Sequence, residues 1–462
     1  MNTLVFDIGK THVKLHMLSP ILETLESVQT NNQPIFAPYP SANVDGIWQW
    51  FCSNTSTLCR NHEVAELCIT THGATAGIIN RDRSDNGLVM PICDYEFSGV
   101  DEFNEDYRAH RPNFLESASP ELPAGLNLGR QLYWQSRRYG AEFSAATDIL
   151  MYPQYWVWRI TGSLASEVTS FGCHTDLWLP WKKDFSSLAY QLGWTKYFPA
   201  FKAAHEIAGQ PLHHVIAETG LPEDCRVRVG IHDSNASLYR YRHALPDRAF
   251  SLCSTGTWSI VFNGSTNLTQ HKQDQDVLAN VDLTGKPVVT SRFMGGREYA
   301  LICEALGAKE DAIVTTKDIE ALIDADVLCL PGWVPETGPW PSVQGRIEGV
   351  IPRQVEPSSL ATLYCALMLD KQLDLVNSEA DIIIEGAFLN SPLVLQLVAQ
   401  LRGKQDVFAS SETSAAIVGT ALLNAFDQEA LTPDLIKVLP SNIAQLVAYK
   451  TKWRDRIAEH IS

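Results

Sequence analysis

The sequence predicts an α/β protein of two similar lobes, each a mixed β-sheet flanked by helices, with a cleft between them. Three observations predict it. A strand–turn–strand hairpin at the N-terminus has a second copy about half a chain further on. Apolar strand-like runs alternate with helical stretches along the whole chain. The 462 residues, 45% hydrophobic and 19% charged, are enough for two large cores. The lobe boundary is placed after residue 244, giving residues 1–244 and 245–462.

The first hairpin runs from Leu4-Val5-Phe6 through Asp7-Ile8-Gly9-Lys10-Thr11 into His12–Leu18, where Val13, Leu15 and Met17 alternate. Gly9 lets the backbone come close to a ligand. Consecutive amide N–H groups in such a turn can form a concave anion site. Asp7 is suited to hold Mg²⁺ through water, and Mg²⁺ accompanies nucleotide phosphates. A charged hairpin turn of no further consequence is the competing reading. Gly9-Lys10-Thr11 is not a P-loop, which needs a glycine at the position of Leu4 and a helix after the turn.

The next elements are helical periodicity over Ile47 to Cys59 and a short buried strand, Leu67-Cys68-Ile69-Thr70, ending in Thr71-His72-Gly73. A strand over 76–80 follows. Leu128 to Arg138 and Asp148 to Arg159 read as helices, the second despite Pro153, which marks a start or a kink. Val227-Arg228-Val229-Gly230 is a strand leading into Ile231-His232-Asp233-Ser234, and Leu238 to Asp247 reads as a crossover between lobes. The second hairpin is Ala249–Leu252, the turn Cys253-Ser254-Thr255-Gly256-Thr257, and the strand Trp258–Phe262. Ser, Thr and Gly are ordinary turn residues, so the pair of hairpins says more than either alone. Two facing turns would grip one polyphosphate from both sides.

Leu328 to Gln344 reads as a structured loop. Pro357 starts a long helix with Leu360, Leu363, Tyr364, Leu367 and Met368 as its core stripe. The strand Ile382–Ile384 enters Glu385-Gly386-Ala387-Phe388-Leu389-Asn390, ahead of a helix from Pro392 to Leu401. Such a strand–Gly–helix junction suits a nucleotide, although a plain βα turn looks the same in sequence.

A formal net charge of −17 makes nucleic acid and anionic membranes poor partners. No apolar stretch reaches the ~18 residues of a membrane span. The N-terminus enters a strand carrying Asp7, so no signal peptide is expected. The ten cysteines include no CxxC pair and read as buried free thiols in a reducing, cytoplasmic compartment. The glycosylation patterns at Asn54-Thr55-Ser56 and Asn267-Leu268-Thr269 are then chance matches.

At these residues the chain resembles the FGGY carbohydrate kinases of the actin-like, sugar-kinase and heat-shock ATPase superfamily. The motifs follow one another in the family's order over nearly the whole length. Asp7 to Thr11 with Lys14 looks like the first phosphate motif, and Ile69 to Gly73 the sugar-side strand. Gln154 to Gly162 looks like the helix that members close with Leu-Thr-Gly. Gly230-Ile231-His232-Asp233 matches the segment carrying the catalytic aspartate. Ser254, Thr255, Gly256 and Thr257 fit the second phosphate motif; Glu385 to Asn390, with the later Gly419–Leu423 helix, fits the adenosine side.

The resemblance implies two actin-like (ribonuclease H-like) lobes, with ATP and Mg²⁺ as cofactors. The implied reaction is transfer of the γ-phosphoryl group to a hydroxyl of a ketose (a pentulose or deoxyhexulose) or related polyol. It resembles the xylulose, rhamnulose and fuculose kinases most in character. Asp233 is the implied general base. Asp7 is implied to hold the metal, and Gly9, Lys10, Thr11, Lys14, Gly386, Ala387 and Asn390 the nucleotide. His72, Gly73, Asp94 and Glu96 are implied to meet the sugar. Lys10 replaces the usual hydroxyl residue, Glu385 the first glycine of a glycine run, and Pro91–Glu96 a Trp-x-Asp…Arg segment.

For Asp233 alone the bland reading is a loop cap. For His72 it is a structural hydrogen-bond partner. His232 is expected to be a surface or packing histidine rather than a group that tunes Asp233. The rival functions are a non-catalytic sugar sensor on this fold and a chaperone-like ATPase. Retention of Asp7 and Asp233 weighs against the first, and the lack of chain for a client-binding domain against the second. A homodimer is left open.

Overall fold

The structure, a computed structural model, describes residues 2–83, 85–264, 273–410, 414–428 and 431–461, so the Asn267 pattern lies outside the described residues. The chain forms two compact units, each containing a seven-stranded mixed sheet flanked by helices. The first unit comprises Met1–Pro246, Ala279–Pro287 and Ser414–Thr432; the second comprises Asp247–Leu278, Val288–Thr413 and Pro433–Ser462.

In the first unit the sheet starts as an antiparallel meander of Thr24–Asn31, His12–Leu18 and Asn2–Ile8. Val64–Thr71 then lies parallel to Asn2–Ile8, and Arg226–Arg228 parallel to Val64–Thr71. The alternation read from the sequence fixes the faces: Val13, Leu15 and Met17 are fully buried, while His12, Lys14 and His16 are partly exposed. Phe6 carries the core across the sheet. Its ring stacks on Phe51 of the Val44–Asn61 helix at 4.6 Å and meets Trp156 of the Tyr152–Thr161 helix edge-on at 5.6 Å. Asn43 caps the former helix by accepting the Gly46 N–H at 3.1 Å.

The second unit repeats the arrangement. Pro287–Phe293, Ser259–Asn263 and Phe250–Thr255 form the antiparallel run. Asp381–Gly386 lies parallel to Phe250–Thr255, and Val407–Ser410 parallel to Asp381–Gly386. The Ser358–Leu375 helix is buried on almost every side, including Leu360, Leu363, Tyr364, Leu367 and Met368. Pro357 is its N-cap.

Three stretches differ from the sequence reading. Asp148–Met151 is a strand paired with Ala76–Ile79, and the helix begins only at Tyr152, with Pro153 in its first turn. Helical periodicity and a short buried strand look alike over four apolar residues. Leu238 to Ala244 is the body of a helix, Asp233–Ala244, rather than a crossover. Leu328–Leu330 is a strand paired with Arg346–Glu348.

The Gly419 helix, read as a support of the adenosine side, groups with the first unit. A Cβ at Gly419 would lie 1.9 Å from the Ala236 carbonyl, so only glycine permits this packing against the Asp233–Ala244 helix. Nine of the ten cysteines are buried and Cys59 is partly exposed; all are free. No described helix is long and apolar enough to cross a membrane.

Candidate active site

Sheet register assembles the site of the first unit. Asp7 stands level with Thr70, and Thr70 with Ile231, because Asn2–Ile8, Val64–Thr71 and Ile231–His232 are parallel neighbours. Their carboxyl ends therefore deliver Asp7, His72 and Asp233 to one rim, the side where open α/β sheets bind ligands. The His72 N–H donates to the Ile8 carbonyl at 3.0 Å, locking two of these ends together.

Asp7 lies opposite Lys14 across the hairpin. Its carboxyl is pushed up to about 7, first by burial and then by the negative charge of Asp233, with Lys14 opposing. The turn is closed by the Gly9 N–H donating to His12 O at 3.0 Å, and Asn32 Nδ2 donates to Gly9 O at 2.8 Å. Thr11 is exposed, with its hydroxyl 3.0 Å from His12 Nδ1. Lys10, expected at a phosphate, is held by other groups in this structure. Its ammonium pairs with Asp94 Oδ1, lies 3.4 Å from Glu96 Oε2, and sits 4.7 Å from the Tyr95 ring centre. Two carboxylates and an aromatic face outweigh solvent for this cation.

Lys10, Asn32, Ala42, His72, Thr75 and Asp94 line a cavity of about 30 Å³. Burial holds His72 below its ordinary value, against the opposing pulls of the Gly73 carbonyl and Asp233, so the ring is neutral. Its Nδ1 lies 3.1 Å from Gly73 O and 3.4 Å from Thr75 Oγ1. Gly73 has a second duty: a Cβ there would lie 2.7 Å from His232 Nε2. Gln131, buried, donates to Ala74 O at 2.7 Å and braces this turn.

Asp233 is the first residue of its helix. Its Oδ1 accepts from Ser234 N at 2.5 Å and Ser234 Oγ at 3.1 Å. His232, expected to be a surface or packing group, is buried and presents Nε2 to Asp233 Oδ1 at 3.2 Å.

In the second unit, Thr255 stands level with Gly386 on parallel neighbours, so the Gly256–Thr257 turn and the 386–390 segment share one rim of that sheet. The Gly256 N–H donates to Trp258 O at 2.8 Å. Ser254 is partly exposed, whereas the Thr255 hydroxyl is buried and spent within the protein: it donates to Glu385 O and accepts the Phe388 N–H at 3.0 Å. Gly386, Ala387 and Asn390 are exposed. The Gly296 N–H, at the start of the Gly295–Leu306 helix, donates to Gly256 O at 3.0 Å. Arg292, paired with Asp276 at 2.9 Å, lies 4.9 Å from the Trp258 ring centre and steadies the turn.

Gly386 has φ +86° and ψ −148°, and a Cβ there would lie 1.9 Å from Thr255 O. Gly386→Ala is therefore expected to destabilise the protein by about 3 kcal/mol or more. An unchanged melting temperature in calorimetry would contradict the packing described.

Asn32, Thr75, Gln131, Asn235 and Gly295-Gly296 were not singled out from the sequence. The glycine pair ahead of helical periodicity was the one available signal; Asn32 and Gln131 act through contacts distant in sequence, and Thr75 and Asn235 through side-chain geometry that only the folded chain fixes.

Residues 247–433 match the family described as carbohydrate kinase FGGY, C-terminal domain. A carbohydrate kinase from Novosphingobium aromaticivorans superposes with a TM-score of 0.88 at 30% identity, covering 100% of this chain and 99% of that one. A xylulose kinase from Lactobacillus acidophilus (TM-score 0.81, 14% identity, 99% and 97% covered) shares the fold. So does a gluconate kinase from the same organism (0.80, 14%, 100% and 98%). Comparison with curated protein sequences finds no match. With a 30% identical carbohydrate kinase aligned end to end and the family's C-terminal domain in place, the chain belongs to the FGGY carbohydrate kinases and is an ATP-dependent sugar kinase.

Proposed function

We propose that the enzyme transfers the γ-phosphoryl group of MgATP to a hydroxyl of a ketose, a pentulose or deoxyhexulose, or a related polyol, with Asp233 as general base. The observation that carries this reading is the meeting of Asp7 and Asp233 at the carboxyl ends of the two strands that flank Val64–Thr71, close enough for one to raise the other's proton affinity. One carboxyl is suited to a cation and the other to a proton. Asp233 accepts the hydroxyl proton as the oxygen attacks. In the first unit the turn amides of Lys10 and Thr11, and in the second that of the exposed Thr257, take no partner among the described residues and suit phosphate oxygens.

Mg²⁺ fits this chemistry. Asp7 takes no hydrogen bond from a described residue that would account for its charge, and its like-charged neighbour favours a divalent ion. No cluster of three or more ligating side chains occurs among the described residues, and Mg²⁺ bound to a nucleotide needs only one or two carboxylates. When bound, the ion neutralises phosphate charge.

The acceptor side favours a neutral sugar. Asp94, Glu96 and Asp233 outnumber Lys10 there, and His72 is neutral. In an ADP-release assay over ketoses, polyols and aldonates, we expect turnover with one or more ketoses and none with gluconate. Turnover confined to an aldonate would overturn the acceptor assignment.

A further inference from the structure

The described contacts of Asp233, two hydrogen bonds and an ion pair, converge on one oxygen. Ser234 N, Ser234 Oγ and His232 Nε2 face Oδ1, which leaves Oδ2 for the acceptor hydroxyl. The two Ser234 contacts come from the next residue and follow from the helix start. The His232 contact is different, because the ring is held independently of Asp233.

That hold is a chain of assigned hydrogen bonds. His232 Nδ1 lies 2.6 Å from Asn235 Oδ1. The Asn235 amide is oriented by its other end, where Nδ2 donates to the Val281 carbonyl and to Asn280 Oδ1 at 3.1 Å. The Asn280 oxygen is itself identified by the Val281 N–H, which donates to it at 2.8 Å. A carbonyl only accepts, so Asn235 must turn its oxygen to the ring. His232 Nδ1 therefore donates to Asn235 Oδ1, while Nε2 stands 3.2 Å from Asp233 Oδ1 and the ring also hydrogen-bonds Cys173. A neutral ring in that tautomer turns a lone pair on the carboxylate; the imidazolium makes the contact an ion pair. The backbone is fixed as well. His232 N–H donates to Thr169 Oγ1 at 3.1 Å, and Thr169 is held by the buried Glu167. Gly73 leaves the ring its room.

We infer that His232, as an imidazolium, is a positioning residue: it pins Asp233 Oδ1 and so presents Oδ2 to the acceptor. The inference rests on Asp233 being the general base. His232 is pushed up to about 9: burial opposes its charge, but Cys173, then Asp233 and Asn235, outweigh it. The other groups facing it are consistent. Burial works against ionisation of Cys173, yet His174 and His232 draw its thiol well below the ordinary value. Burial pushes Glu167 up to about 7, with hydrogen bonds from Thr169 and Ser170 opposing. Asn280 Nδ2 lies 3.6 Å from the Cys173 sulfur.

The sign of the pH effect follows. A raised histidine value means that the contact is complete at neutral pH and lost as pH rises through about 9. A neutral ring with its proton on Nδ1 would turn a lone pair towards Asp233 Oδ1. The kcat profile should then carry an alkaline limb near pH 9 that belongs to His232.

Two substitutions separate positioning from packing. His232→Gln keeps an N–H donor near the Nε2 position, and His232→Asn keeps one only near Nδ1. We expect His232→Gln to retain kcat within about 10-fold and to lose the alkaline limb, since an amide does not titrate. We expect His232→Asn to lose kcat on the order of 100-fold with KM for ATP unchanged, the scale of a misplaced catalytic group. An alkaline limb that persists in His232→Gln, or near-normal kcat in His232→Asn, overturns the inference. If His232→Asn fails to fold, ¹⁵N-histidine spectra of the wild-type protein decide. The signals lost in His232→Gln must report a doubly protonated ring at pH 7.5, and a neutral ring overturns the proposal. Asp233→Asn is measured alongside. If it is inactive while the His232 variants behave as wild type, this inference alone falls. If it stays active, the base assignment falls first.

Discussion

Asp233→Asn should lower turnover at least ~100-fold while leaving nucleotide affinity nearly unchanged. Asparagine keeps the size of the side chain, and its Oδ1 can still accept from the Ser234 amide, so the local fold has no reason to change. What disappears is the proton acceptor at Oδ2. An amide there binds a hydroxyl but cannot take its proton. The loss should therefore appear in kcat rather than in the KM for either substrate, and steady-state kinetics with nucleotide binding by calorimetry checks it. Near-normal turnover would mean that the base lies elsewhere or that the acceptor needs none.

The sequence made some of this legible and hid the rest for physical reasons. The hairpins were readable because alternation in Val13, Leu15 and Met17 and the Gly9 and Gly256 turns are local features. The repeat of sheet order in the two units, a meander followed by parallel strands, confirmed what two turns had suggested. The Asp148–Met151 strand was hidden because apolar residues fit either period over so short a run. Asp233 was singled out through its position after a strand and its motif, and the structure places it at the rim that also carries Asp7.

The role of its neighbour His232 was hidden, because Asn235, which meets the ring, is itself oriented by Asn280 and Val281, some 45 positions further on. Lys10 shows the same limit from the other side. Its place in a phosphate-like turn pointed to the nucleotide, yet its long side chain reaches Asp94, 84 positions away. Sequence position fixes where a Cα lies; the partner of a flexible cation is decided by which charges the fold brings within reach.

Asp7→Asn should produce opposite effects on activity and on stability. Burial and Asp233 together raise the Asp7 carboxyl from 3.8 to about 7. For an acid raised on folding, the folded state binds a proton that the unfolded chain has already released. Its destabilisation is then complete above pH 7 and fades as pH falls from 7 towards 4. At 1.36 kcal/mol per pKa unit the ceiling is about 4 kcal/mol, and partial exposure leaves on the order of 2 kcal/mol. In metal-free buffer with chelator, Asp7→Asn should therefore melt at a higher temperature than the wild type at pH 8. The advantage should shrink as the buffer is taken to pH 5.5. Turnover should fall on the order of 100-fold if, as proposed, the Asp7 anion draws in the metal. Added Mg²⁺ should also raise the melting temperature of the wild type more than that of the variant. A variant no more stable at pH 8 would show that the two carboxylates do not strain the apo protein. One that keeps its response to Mg²⁺ would move the metal to other ligands.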